Sequence, residues 1–399
     1  MNLSDILEAA VYKELVRVDL PAKGSNQHEI DGVAALREFF GISGKSHGNI
    51  TWHYFADDSE PVEDEGEFTF YDAREKHPTR TEWRLYYRGE FLNRASEGDV
   101  LILLKAKHPR AAVHALVFQR GSSWLLSAEK LFGVSNLNPA NFEIFTQKSL
   151  ASQRLGLVEE RILEELGIEG LQIPTTQTDL ELILEKFRGA FPTTKDMSAF
   201  ARAQASDADM SRTDETLVRW LEREEQLFRA LEKMTVEVRL RKGFADVDDF
   251  VSFSLSVQNR RKSRMGYSLQ NQLAALFDLR RIKYEAQAVT EGKNKPDFIF
   301  PGSIQYHDRQ FDSALLVMLG AKSTLKERWR QILTEAAKIP RKHLCTLEPG
   351  ISTFQTDDIA SHAVQLVIPE AFHKTYTDQQ RRQLWTVSAF VEFVKAKQH

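Results

Sequence analysis

Lys295-Pro296-Asp297, then Gly320-Ala321-Lys322-Ser323, then Lys326-Glu327-Arg328-Trp329-Arg330 with Glu335 beyond, places charged residues at the ends of short apolar runs. Short apolar runs over 297–300 and 314–321 read as strands, one opening at Asp297 and the other closing near Lys322. A helix over 268–279 and a β-like run over 284–289 precede them. A helix over 327–339, strands over 343–347 and 364–368 and a final helix over 384–395 follow. Helix, strands, helix, strand is an α/β pattern, with helices packed on a mixed sheet.

Three side chains of this stretch combine into chemistry. Hydrolysis of a phosphodiester needs hard oxygen ligands for magnesium, an activated water and a cation beside the developing negative charge. Asp297, Lys322 and Glu335 supply these types. The common nuclease arrangement has an acid two residues before the lysine, and that position is Gly320 here, so a replacement carboxylate is required. Glu335, on the expected helix, is placed to project into that space. Arg328 and Glu335 lie almost two helical turns apart and would share a face. Helix N-termini favour phosphate, arginine forks match guanine, and a glutamate accepts from a cytosine amino group, so Lys326, Glu327 and Arg328 form a donor, acceptor, donor set for G and C pairs. Spacing alone is equally that of solvated charges on α/β elements.

The chain as a whole sets bounds. Its 399 residues favour two domains, 42% are apolar and 28% charged, and no apolar run is long enough to span a bilayer. The N-terminus reads as a capped helix rather than a leader, so a cytoplasmic setting and no membrane partner are expected. The single cysteine, Cys345, lies in an apolar run and reads as a buried, inert thiol. A net charge of −4 argues against nucleic acid in total but not in distribution. Acid concentrates in Asp57 to Glu67 and Glu222 to Glu225. Base concentrates in Arg260-Arg261-Lys262-Ser263-Arg264 and Arg280-Arg281, the former either a solvated loop or a set of phosphate contacts.

From about Asn49 to Gln119 the period is that of strands, over 50–55, 68–71, 83–87, 100–104 and 113–118, which points to a barrel or sandwich. Helical patterns accompany it at 32–40 and 128–132. Arg80, Arg84 and Arg88 are evenly spaced and, on one strand, would project to one face with Tyr86, opposite Trp83, Leu85 and Tyr87. That pattern fits a cationic binding face and a solvated barrel edge equally. After Ser135 the period turns helical, and a polar stretch over 203–214 separates a further helix over 215–234. The expected division is 1–150, a linker over 151–175, and 176–399. Trp220 fits either the core or a stacking platform for an extruded base, and His307 reads as structural.

Several segments together, Asn259 to Arg264, Thr290-Glu291-Gly292, Asn294 to Phe298, Tyr306-His307-Asp308, Ala321 to Thr324 and Arg328 to Leu333, resemble the catalytic domain of the EcoRII-type (type II/IIE) restriction endonucleases, from about Phe191 onward. The resemblance implies a restriction-endonuclease-like fold of the PD-(D/E)xK kind. It puts Asp297, Lys322 and Glu335 at metal and catalytic positions, Tyr306 at an accessory one, and Lys326, Glu327 and Arg328 at the readout of CC/GG pairs. It assigns Arg260, Arg261 and Arg264 to DNA, and implies a magnesium-dependent homodimer that cuts both strands of double-stranded DNA at a short CC, central base, GG site. Residues 12–133 more faintly resemble that family's B3-like DNA-binding pseudobarrel, through Lys23 to His28 and the arginine strand. This implies DNA contacts from His28, Arg80, Arg84 and Arg88, and regulation of cleavage by the first domain. The sequence departs from the family at Ser268-Leu269-Gln270, where a glutamate is usual. Two rivals follow: a sequence-specific DNA-binding regulator whose nuclease site has decayed, and a nuclease that senses methylated cytosine.

Overall fold

The computed structural model describes residues 2–21, 28–32, 34–41, 44–107, 112–134, 141–167, 177–205, 209, 211–292 and 294–398, without the side chains of 31, 32, 34, 177, 262 and 326–328. Two compact units result. The first comprises Met1–Ile173 with the short returns Pro349–Phe354 and Lys374–Thr377, and the second holds the remainder.

The first unit is built on strands β1 (Leu7–Glu14), β2 (Glu29–Gly32), β3 (Ser46–Phe55), β4 (Val62–Asp72), β5 (Trp83–Tyr87), β6 (Val100–Ala106), β7 (Val113–Phe118) and β8 (Glu143–Ile144). They form one sheet in the order β2-β5-β4-β3-β7-β6-β1-β8, antiparallel except for the β3–β7 pair. One core cluster gathers Ile30 of β2, Trp52, Phe70, Leu85, Leu101, Val117 and Phe142 beside β8. Residues from both ends of the strand order therefore share one interior, which requires the sheet to curl. The five expected strands are present. The expected N-terminal helix is a single turn, Leu3–Ile6, because the chain enters β1 at Leu7 and pairs there with β6. Cross-strand packing outweighs the local helical pattern.

The second unit carries β9 (Glu285–Ala286), β10 (Phe298–Phe300), β11 (Val317–Lys322), β12 (Lys342–Thr346) and β13 (Val364–Val367). Their order is β13-β12-β11-β10-β9, parallel from β11 to β13 and antiparallel from β9 to β11, the mixed sheet of the α/β pattern. Two long helices, Thr213–Lys242 and Val247–Leu279, precede it. The second runs 33 residues rather than starting near Ser268, since Asp246 caps it by accepting the Asp249 N–H at 2.8 Å. Near its other end Phe277 packs edge-on against Phe298 and Phe300, both at 5.2 Å. Cys345 is fully buried, with its thiol pKa pushed well up by burial.

A buried polar network sets the rotation of that helix. Gln272 donates to Glu224 at 2.6 Å and accepts from Arg202 at 3.0 Å, and Ser198 donates to the same Glu224 at 3.1 Å. Two residues of helix turn about 200°, so anchoring Gln272 to the helical layer aims Gln270 at the sheet. Burial raises the Glu224 pKa, opposed by Arg264 and these donors. At the start of the first long helix, buried Asp214 accepts the N–H groups of Glu370, Val387 and Ser388 at 3.1, 2.9 and 2.8 Å. It thereby caps the last helix, Val387–Gln398. Asp214→Ala leaves these donors without their acceptor and is expected to lower the unfolding free energy by about 2–4 kcal/mol, read as a drop in urea midpoint at unchanged slope.

Candidate active site

Antiparallel pairing brings the first two groups together. Phe298 faces Leu319 in the β10–β11 register, so Asp297, one residue before β10, arrives beside the end of β11. Its Oδ2 accepts the Ala321 N–H at 2.7 Å and the Lys322 Nζ at 2.9 Å. Its Oδ1 accepts the side-chain amides of Gln270 at 2.8 Å and Gln287 at 2.9 Å. The carboxylate is 5% exposed and bonded on every side.

Gly320 is empty of side chain for a packing reason. A Cβ there would lie 2.8 Å from Ile332 Cγ2 and 3.4 Å from Leu344 Cδ1, so the space an acid would fill at this position is held by Ile332. Glu335, the expected replacement, lies on a different element than expected. The helix over 327–339 is instead a 3-10 run, Lys326–Thr334, and Glu335 follows it in extended conformation. Arg328 and Glu335 thus do not share one helix, and the side chains of Lys326, Glu327 and Arg328 lie outside the described residues.

Fixed contacts bracket Glu335. Asn294 donates to the Thr334 carbonyl at 2.8 Å, and Lys342 donates to the carbonyls of Ala336 and Ile339 at 3.0 and 2.8 Å. Glu291 accepts the Ala337 N–H at 3.1 Å and the Tyr306 hydroxyl, while the Tyr306 oxygen accepts the Lys338 N–H at 3.2 Å. Ala336 carries a φ of 48°, a left-handed conformation that costs a non-glycine residue and persists only where surroundings impose it. Within this frame Glu335 Oε2 is buried without a hydrogen-bond partner among the described residues. Burial raises its pKa to about 6, with Lys322 lowering it and Asp297 raising it. The three groups therefore share one electrostatic neighbourhood. Tyr306 bonds to the loop after Glu335 and to Glu291, which makes it a brace; burial, then Glu291, pushes its hydroxyl up to about 12.

The remaining sequence candidates lie elsewhere. Arg260, Arg261 and Arg264 are on the second long helix rather than a loop. Arg264 is buried against Glu225, Arg261 pairs with Glu232 at 2.6 Å, and Arg260 lies 4.0 Å over the Phe191 ring. Trp220 is buried beneath Arg202, and His307 Nε2 lies 3.0 Å from the Val289 carbonyl. In the first unit β5 spans only Trp83–Tyr87, so Arg80 and Arg88 fall outside it. Leu85 and Tyr87 are buried and Arg84 and Tyr86 face out, as the alternation requires. Arg84 is held between Glu29 and Glu82, and Arg88 reaches Glu67 at 3.1 Å. Arg80 is exposed, and His28 packs edge-on to Tyr87 at 5.4 Å. No periodicity or pairing in the sequence marks Gln287 or Lys342 as a site residue, and Glu291 is marked only through the Thr290-Glu291-Gly292 segment of the resemblance.

Among the described residues, no cluster of three or more histidine, cysteine, aspartate or glutamate side chains is arranged to hold a metal. A magnesium ion needs fewer, since it retains waters and takes one or two carboxylates. Asp297 and the unpartnered buried oxygen of Glu335 suit it in donor chemistry. Histidine and thiol ligands, which softer metals favour, do not enter this group.

Comparisons with known proteins meet this geometry. Residues 228–391 match the family model described as EcoRII C terminal, which assigns the second unit a restriction-endonuclease-like fold. Over 224 residues the chain is 39% identical to the type II restriction enzyme EcoRII of Escherichia coli, covering 56% of this chain and 55% of that protein. The match thus spans about half the length of the curated relative. Similar solved structures include metal-depleted Ecl18kI in complex with uncleaved DNA (TM-score 0.43, 18% identity, 55% of this chain and 83% of that one). A PspGI-substrate DNA complex is also similar (TM-score 0.39, 16% identity, 57% and 95%).

Because the folded-state pKa of Glu335 lies near 6, above the ordinary 4.5, the native state binds an extra proton between these values. Stability is lost as pH rises through that window. Glu335→Gln is expected to stabilise the protein at pH 7 by on the order of 1 kcal/mol, after allowance for solvent screening. The gain should fade below about pH 4.5, as measured by urea denaturation across pH.

Proposed function

We propose that this chain, whose residues 228–391 match the EcoRII C-terminal family, is a type II site-specific deoxyribonuclease that cuts both strands of DNA. One observation carries the reading: Lys322 Nζ lies 2.9 Å from the Asp297 carboxylate, with the unpartnered oxygen of Glu335 in the same electrostatic neighbourhood. A carboxylate, an ammonium and a second buried carboxylate are what phosphodiester hydrolysis requires.

Asp297 and Glu335 are the residues that would hold magnesium, which when bound polarises the scissile phosphate and the attacking water. Lys322, oriented by Asp297, presents a cation to the charge that builds on the phosphorane and aligns the water. Tyr306, Glu291 and Lys342 act through the loop that carries Glu335 and are positioning residues. Lys326, Glu327 and Arg328 are assigned to readout of a CC, central base, GG site, on their sequence pattern and place at the start of the 3-10 run. Arg261 and Arg264 are engaged within the helical layer, so readout does not rest on them. A homodimer accords with cleavage of both strands of a symmetric site. The first unit, with its curled sheet, is proposed as a B3-like DNA-binding domain over about 1–150, joined through 151–175 to the nuclease domain over 176–399 and regulating it, with exposed Arg80 and Arg88 as its DNA contacts.

The rival with an observation in its favour is a decayed, DNA-binding regulator, since neutral Gln270 stands where the family usually has a glutamate and is bonded to Asp297. Magnesium-dependent linearisation of plasmid separates the two. Lys322→Ala is expected to reduce cutting by at least about 10²–10³-fold while specific binding, measured by mobility shift in calcium, stays within a few-fold. Retained cutting removes the lysine from the mechanism.

A further inference from the structure

The Asp297 carboxylate has no free lone pair. A carboxylate offers about four acceptor sites, and four donors fill them: Ala321 N and Lys322 Nζ on Oδ2, Gln270 and Gln287 on Oδ1. A cation that reaches this carboxylate must displace one of them. The four are not equally displaceable. Ala321 N is backbone in a strand paired on both sides. Lys322 closes the same strand and its ammonium is the only positive charge of the four. Gln270 projects from a 33-residue helix that Gln272 locks to its neighbours.

Gln287 differs on each count. It is exposed, it follows the two-residue edge strand β9, and its φ is 54°, a left-handed conformation unfavourable for a residue with a Cβ. Two bonds to Asp297 maintain that conformation, the side-chain amide on Oδ1 and the Gln287 N–H on the Asp297 carbonyl at 3.1 Å. Gln287 is thus the weakest-held of the four donors and the one exposed to solvent.

We propose that Gln287 is a latch on Asp297, a positioning residue whose amide holds the carboxylate until a divalent cation displaces it. The inference rests on the reading of Asp297 as a metal ligand. Magnitudes set the direction of the effect. With Gln287 removed, Gln270, Ala321 N and Lys322 still fix the carboxylate, so little preorganisation is lost, whereas one charge-assisted bond no longer competes with the ion. Loss of the latch therefore tightens ion binding, opposite in sign to damage at a structural residue.

The test is calorimetric titration of the full chain with Mn²⁺ alone, which needs no turnover. Gln287→Leu keeps the left-handed backbone cost while removing the donor, with a side chain one atom shorter. Gln287→Gly removes the donor and relieves the backbone, so it carries the test should the leucine variant misfold. Both are expected to bind Mn²⁺ about 3–10-fold more tightly than the unaltered protein. Unchanged or weaker binding by the folded variants, with Asp297→Ala abolishing binding, overturns the latch alone. Undiminished binding by Asp297→Ala overturns both the latch and the metal site on which it rests.

Discussion

The antiparallel pairing of β10 with β11 is the constraint on which the candidate site depends. It carries the start of one short strand to the end of its neighbour, and so sets Asp297 within 2.9 Å of Lys322 although 25 positions separate them. Nothing local to either residue achieves this. The apolar residues that bury these strands, Phe298, Ile299 and Phe300 on one side and Val317, Met318 and Leu319 on the other, are what hold the two charges together. The hydrophobic term stabilises the pairing, and the polar geometry follows from its register.

A second consequence concerns charge. With Gly320 packed under Ile332, the strand cannot carry the usual acid, and Glu335 enters from an irregular segment clamped by Asn294, Lys342, Glu291 and Tyr306. One oxygen of that half-buried carboxylate, Oε2, has no partner among the described residues, and burial raises its pKa. A fold optimised for stability alone would not retain it. Neutral Gln270 and Gln287 satisfy Asp297 without adding negative charge.

Much of this was legible in the sequence, for reasons that differ by element. Five of the eight strands of the first sheet and the five of the second announced themselves by alternation or short apolar runs, and strand parity placed Leu85 and Tyr87 inside and Arg84 and Tyr86 outside. What failed was set by distant contacts. The strand at Leu7–Glu14 was masked by a helical start signal and is formed by pairing with a partner almost a hundred residues on. The expected helix carrying Glu335 is a 3-10 run, because the backbone after Thr334 is drawn out by side chains of other segments. Arg261 and Arg264 read as a charge run, either solvated or on phosphate, and only the packing of two long helices reveals Glu232 and Glu225 as their partners. Gln287 carries no sequence signal at all, since its role depends on a left-handed backbone that the side-chain pattern does not encode.

Asp297, Lys322 and Glu335 are proposed to form one divalent-ion site beside a DNA backbone. Anomalous diffraction at the manganese edge, from crystals of the protein with a CC, central base, GG duplex and Mn²⁺, tests it most directly. The expected result is a peak about 2.0–2.3 Å from carboxylate oxygens of both Asp297 and Glu335, with a phosphate oxygen in the same coordination sphere and Lys322 Nζ beside it. A strong peak elsewhere, with no ion shared by those two carboxylates, contradicts the assignment.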